Sequence, residues 1–433
     1  MSLSVEHTIK IGAAASPTDF TTRVAGYTVN QQLTWMAPSS FTATITLHNF
    51  DGALTPAEAG GTGTYSTVDW FAQAVFISAT VNSTDTGEIF HGLITDFRLV
   101  DDGVTSTVTI TAVDHLSIAG RGPTEFPGTV SGSVSMFDGT EELLEKMLGY
   151  TVETLPRLGA TTGTAVNVQD RTDDNTSPLV DLTPILLEPR TIADALRNML
   201  MPSGLSLLWA DRITGIATTT TYASNFVGPT LQRASGNTFE FVPTPSAGQL
   251  AATNLDVGYN DRQRINWATI TSASTTNTRD YVNTEAVEQY GVQAFTASST
   301  LNYNDDTYEA GGTTYLGSDA TAGQLANRLS SSTWTPRRLT TTTATLADLP
   351  AGSSDELADL FDMAGGLWQR CNITYTPTGG SSTTSRCMIM GRTIQATPGR
   401  CTITLELVPA DDFQPFILGD ATYGVLGRSR LAI

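Results

Sequence analysis

The run Thr42-Ala43-Thr44-Ile45-Thr46-Leu47, followed at once by Asn49-Phe50-Asp51-Gly52, decides how this chain is read. Apolar side chains alternate there with threonines at period two, the signature of a strand with one face on a core and one in water. The Asn-Phe-Asp-Gly that follows supplies turn chemistry, because Asn and Asp side chains can cap their own backbone and Gly accepts a left-handed bend. Working outward, the alternation recurs at residues 75–81, 89–94 and 107–113. Turn sequences separate these runs, at Ser83-Thr84-Asp85-Thr86-Gly87 and at Asp101-Asp102-Gly103. Residues 1–120 therefore read as an antiparallel β-barrel or sandwich.

The whole composition agrees. About one residue in six is Thr, a β-branched side chain that suits a half-wet pleated surface. A chain of 433 residues is long enough for two to four domains, and 40% hydrophobic residues can fill real cores. Lys and Arg number 23 against 43 Asp and Glu, a net charge of −20. That balance argues against gripping a nucleic-acid backbone, which needs a cationic face, and against docking on an anionic membrane. No apolar run approaches the ~20 residues of a membrane span, and Met1-Ser2-Leu3-Ser4-Val5-Glu6-His7 reads as no secretory signal.

The middle of the chain changes character. Asp138-Gly139-Thr140-Glu141 before Leu143-Leu144 and Met147-Leu148 reads as a capped amphipathic helix. A second helix is expected over 192–201, then a strand at 205–209, a turn at Asp211-Arg212 and a strand at 213–222. Residues 121–254 are thus an expected α+β peripheral domain. Alternation returns at Ile265-Asn266-Trp267-Ala268-Thr269-Ile270-Thr271, so a second β-barrel is assigned to 255–283 and 338–413. An α+β segment, 284–337, with a helix near 320–329, is read as inserted between them. A short helix over 357–363, capped by Ser353-Ser354-Asp355-Glu356, and three strands at 368–375, 386–396 and 400–408 complete the second barrel.

The closing strands repeat the opening ones. Ile89-Phe90-His91-Gly92 before strand 107–113 has its counterpart in Met388-Ile389-Met390-Gly391 before strand 401–407, with a length difference between the copies. An accidental likeness of two β-meanders is the alternative reading.

Little in the sequence promises covalent chemistry. There is no Gly-x-Ser-x-Gly elbow, His-Glu-x-x-His or phosphate-loop lysine motif, and no catalytic, cofactor or metal residue is assigned. His7, His48, His91 and His115 are scattered at strand-like positions and read as structural. The acidic doublets 101–102, 173–174, 305–306 and 411–412 read as turn formers, since adjacent strand residues face opposite ways. Gly60-Gly61-Thr62-Gly63 is expected to be a flexible loop. Cys371, Cys387 and Cys401 read as small buried side chains, with the first two opposite each other across a hairpin.

Residues 414–433 are apolar, punctuated by glycine and placed beyond the last clear strand. Phe413, Phe416, Ile417, Leu418, Tyr423, Val425 and Leu426 are the candidate interface residues of a C-terminal docking arm. Such an arm packs on its own domain or docks a neighbouring chain, and docking is the reading adopted.

Taken in order, these motifs resemble the tail hub, or minor tail, proteins of long-tailed phages. The resemblance rests on strand 42–47 with Asn49-Phe50-Asp51-Gly52, on Gly92 through Asp114-His115-Leu116, and on helix 192–201 before Gly204-Leu205-Ser206-Leu207-Leu208-Trp209-Ala210-Asp211. Tyr290-Gly291 after a short acidic helix and the Leu418–Leu426 tail complete it. It implies a non-enzymatic virion protein similar to the baseplate hub of contractile-tailed phages, assembled in the host cytoplasm and placed at the distal end of the tail. It further implies a homotrimer with two related tube-like barrels per chain, so that a threefold tip matches a sixfold tube. Partners would be a tail-tube or distal-tail ring protein above and tip, fibre or further minor tail proteins below. DNA would pass the lumen without specific binding, and the chain would not enter a membrane. The rivals are a sixfold distal-tail ring protein and a glycan-binding or depolymerase surface protein.

Overall fold

In the computed structural model, residues 4–114, 239–259, 265–299 and 353–409 are described with few interruptions. Shorter strands are described within 116–230 and 307–343 and at 415–416 and 430–431. The predicted helices over 138–148 and 192–201 lie outside the described residues.

Period-two alternation becomes strand wherever it was strongest. The first unit contains β1 (Val5–Gly12), β2 (Val24–Gln32), β3 (Thr42–His48), β4 (Ala74–Val81), β5 (Asp85–Asp101) and β6 (Ser106–Val113). Their order in the sheet is β1-β4-β5-β6-β3-β2, with every neighbour antiparallel. The second unit contains β7 (Phe239–Val242), β8 (Leu250–Tyr259), β9 (Arg337–Thr343), β10 (Arg370–Tyr375), β11 (Thr383–Thr397) and β12 (Arg400–Pro409). Its order is β7-β10-β11-β12-β9-β8, the same permutation of the same succession.

Two irregularities coincide as well, although the bulge of β4–β5 between Ile77 and Ser78 has no counterpart in β10–β11. A bulge interrupts β5–β6 between Ile94 and Asp96, and another interrupts β11–β12 between Ile389 and Gly391. Fixing those two bulges on each other and following the registers around each sheet places Val24–Gly26 on Ala252–Asn254. A bulge interrupts β2–β3 and β8–β9 at those very positions. A bulge bends a strand and increases its twist, so matching bulges mean matching curvature. This register sets Gly391 on Asp96 and not on Gly92, and it removes the length difference that the glycine-based match required.

The two units differ at their first strand. β1 runs antiparallel to β4, whereas β7 runs parallel to both β10 and β8. The β7–β8 pairing completes a circuit of ladders in the second unit, which is therefore not purely antiparallel as expected. In the first unit β1 and β2 share no ladder. Instead the Tyr27 hydroxyl of β2 and His7 Nδ1 of β1 share a hydrogen bond of 2.6 Å.

Several local expectations change in detail. Trp267–Ser272 joins neither unit; it pairs with Thr278–Val282 and Ala294–Ser299 in a separate three-stranded sheet. Asp211-Arg212 is a register shift within the strand Leu207–Gly215 and not a turn, and its partner is Tyr222–Thr230. The late helix, α1, spans Ser354–Phe361, and the Ser353 hydroxyl donates to the Gln249 carbonyl instead of capping it. The Gly60–Gly63 loop is a packed turn: a Cβ at Gly61 or Gly63 would run into the backbone of residues 52–56. Cys371 and Cys387 do pair across the β10–β11 hairpin, and all three cysteines are buried free thiols.

Candidate assembly interface

The two units meet edge to edge. β2 pairs antiparallel with the distal half of β11, from Gln32 opposite Gly391 to Tyr27 opposite Ala396, so one sheet of thirteen strands runs through both. Alternation on each strand sets what the joint buries. Val29 and Ile394 lie opposite each other and are wholly inaccessible, while on the wet face Thr393 donates to Asn30 Oδ1 at 3.1 Å.

Beneath the joint sits a buried arginine. Arg392 donates through Nε to Gln31 Oε1 and through Nη1 to the Leu360 carbonyl at the end of α1. Gln31 in turn donates through Nε2 to the Ile89 carbonyl of β5 at 2.9 Å. One guanidinium thus ties β2, β11, β5 and α1 together. Burial pushes its pKa down to about 9, against the opposing pull of Asp362, so it stays charged at neutral pH. Gly366 makes the space: a Cβ there would collide with Arg392 Nη1.

A second clasp lies over the first unit. His7 packs edge-on to Tyr27 and to Phe361 of α1, with ring centroids 5.4 and 6.0 Å apart. Burial lowers the His7 pKa to about 4, so the ring that shares a hydrogen bond with the Tyr27 hydroxyl is neutral at pH 7. The Met363 N–H donates to the Glu88 carbonyl at 2.8 Å, and Gly87 lies so close to α1 that a Cβ would strike the Ala358 carbonyl. The second unit therefore grips the first through a sheet edge and through a helix.

The motifs singled out in the sequence have structural work to do. Asn49 accepts from the Leu54 N–H and donates to Thr55 and Ser106, closing the turn after β3. Asp51 forms a two-pronged bond with Arg23 at 2.8 and 2.6 Å, which holds the Asp51 carboxyl well below the usual range. Asp102 accepts from the Val104 and Thr105 N–H groups, as a turn former should. His48 stacks on Phe50 and His91 packs tilted against Phe76, far from forming a cluster; His115 lies outside the described residues. Among the described residues no group of three His, Cys, Asp or Glu is gathered as for a metal.

Of the candidate arm, Pro415–Phe416 pairs in parallel with Arg430–Leu431. Phe413, Ile417, Leu418, Tyr423, Val425 and Leu426 lie outside the described residues. Nothing in the sequence pairs Arg392 with Gln31, 361 residues away. The one local signal of the tie is an arginine directly after the apolar run Cys387–Gly391.

Asp114, at the end of β6, is fully buried. Its Oδ1 accepts from the Ser117 N–H and hydroxyl at 3.0 and 2.6 Å, yet burial raises its pKa to about 7. A carboxyl raised on folding adds stability at low pH and loses it as pH climbs through the folded pKa. Between about pH 4 and 7 acidification therefore stabilises the fold through Asp114, by roughly a few kcal/mol at most. His7, lowered on folding, works the other way between about pH 6.5 and 4. Urea titrations of the wild type and Asp114→Asn cancel the His7 contribution. The wild type should gain on the variant as pH falls from 8 to 5; a constant difference would refute the assignment.

No family model matches this chain, and no curated protein matches it in sequence. Solved structures do. The tail protein from Neisseria meningitidis MC58 is similar over 94% of this chain and 96% of its own, with TM-score 0.52 and 12% identity. The 43 kDa tail protein of prophage MuSo2 from Shewanella oneidensis is similar over 94% of this chain and 99% of its own, with TM-score 0.50 and 14% identity. Over nearly its full length this chain, with its twice-used six-strand unit, therefore shares the overall fold of those tail proteins.

Proposed function

We propose that this chain is a structural virion protein that forms a trimeric hub at the distal end of a phage tail. The observation that carries the reading is the repeated strand order with its repeated bulges. A threefold assembly can meet a sixfold ring only if each chain presents two nearly equivalent surfaces, and the strand order and bulges shared by β1–β6 and β7–β12 support such a pairing. The likeness in fold to tail proteins supports the setting. In this reading the six barrels of three chains surround the channel, and the stretches between β6 and β7 and between β8 and β9 lie outside it. A tube or distal-tail ring protein docks above, and tip, fibre or other minor tail proteins dock below. Residues 414–433 form the docking arm. The net charge of −20 suits a wall that repels phosphate, so DNA passes during ejection without being held. The assembly is structural and needs no catalytic residue. A sixfold ring of this chain would instead line up twelve barrels, twice what a sixfold tube presents.

Electron microscopy of intact tails labelled with an antibody to this chain tests the placement. Label confined to the end away from the capsid is the expected result. Label along the shaft, or none on the particle, would contradict it.

A further inference from the structure

The two units do not expose the same edges. The joint inside the chain uses the outer edge of β2 from the first unit and the distal half of β11 from the second. Their counterparts are β8 of the second unit and the distal half of β5 of the first. Among the described residues neither counterpart is used. Beyond Ala251, β8 pairs only with β9. Beyond Ile94, β5 pairs only with β6; its proximal half alone meets β4. The strand Leu207–Gly215 passes near β5 without joining its ladder.

An open edge is a template for another strand, and proteins usually cover or blunt one this long. On β5 the residues Asp96, Arg98 and Val100 are exposed. We propose that β8 of one copy adds to the distal half of β5 of the next, antiparallel, repeating between chains the joint that β2 and β11 make within one. The occupant is a second copy because the chain itself carries the matching strand. Carrying the β2–β11 register across by the shared bulges sets Phe97 opposite Tyr259, Arg98 opposite Gly258, Leu99 opposite Val257 and Val100 opposite Asp256. The apolar pair Ile394–Val29 thereby recurs as Leu99–Val257. The polar pair Arg392–Gln31 is replaced by Phe97–Tyr259, which distinguishes the two joints and fixes which edge each one uses. The interface is heterologous, so it closes into a ring only if each joint turns the chain by the same angle.

This inference rests on the trimeric reading and fails separately from it. The purified full chain carrying Val100→Cys and Asp256→Cys is oxidised mildly, with its copy number measured by sedimentation beforehand. The native cysteines are buried and do not compete. Covalent trimer from the double variant, and dimer only from a mixture of the two single variants, is the expected result. As a control, Gln395→Cys with Thr28→Cys should link within one chain, leaving the monomer mass unchanged. A sedimenting trimer that gives no covalent product would overturn this joint and leave the trimer standing. A chain that stays monomeric and unlinked would overturn both.

Discussion

Arg392→Ala is expected to lower the unfolding free energy by about 3–5 kcal/mol and to loosen the seam between the two units. The truncation leaves the Gln31 Oε1 and the Leu360 carbonyl buried without their donor and opens a cavity the length of an arginine. The charge itself is not what stabilises. Burial pushes the guanidinium pKa down, so the folded state holds this cation at a cost. The paired variant Arg392→Met with Gln31→Leu removes the charge and its acceptor together and should recover most of the loss. A double-mutant cycle by urea unfolding measures this. Coupling of roughly 1–3 kcal/mol is expected, and additive losses would contradict the tie.

Gly92→Val carries the second large effect. Gly92 lies on β5 where the strand passes from β4 to β6, and a Cβ there would collide with the Val113 carbonyl and the tip of the Phe90 ring. The first is backbone of a strand paired with β5 and the second a fully buried ring, so neither gives way readily. A loss of about 3 kcal/mol or more follows from overpacking of this kind. Gly103→Ala is the useful contrast. Its Cβ would meet nothing, but the backbone has φ +82, which costs about 1 kcal/mol for a residue other than glycine. Thermal unfolding should rank the two variants in that order, and equal losses would mean that the β4–β5–β6 corner is looser than described.

What the sequence discloses follows distance along the chain. The alternation at 42–47, the turn at Asp101-Asp102-Gly103 and the cysteine pair across the β10–β11 hairpin are local, and each is legible from the residues themselves. The parallel seat of β7 is not, because Phe239 takes Cys371 as its partner and no local pattern announces a partner so far away. Trp267–Ser272 alternates as well as any barrel strand, yet only its neighbours decide that it belongs to a side sheet. The duplication itself was visible but wrongly registered. Gly92 and Gly391 look alike in sequence, whereas the bulges set the match, and a bulge leaves no fixed residue signature. The Arg392–Gln31 bond spans 361 residues, so only the folded chain reveals it.

A cryo-electron microscopy reconstruction of the tail tip, carried out without imposed sixfold averaging, tests the central claim most directly. Three copies should ring the channel, contributing six β-units at near-60° spacing, with β2–β11 seams alternating with seams between chains. Six copies, or a ring in which each chain places only one of its units, would contradict it.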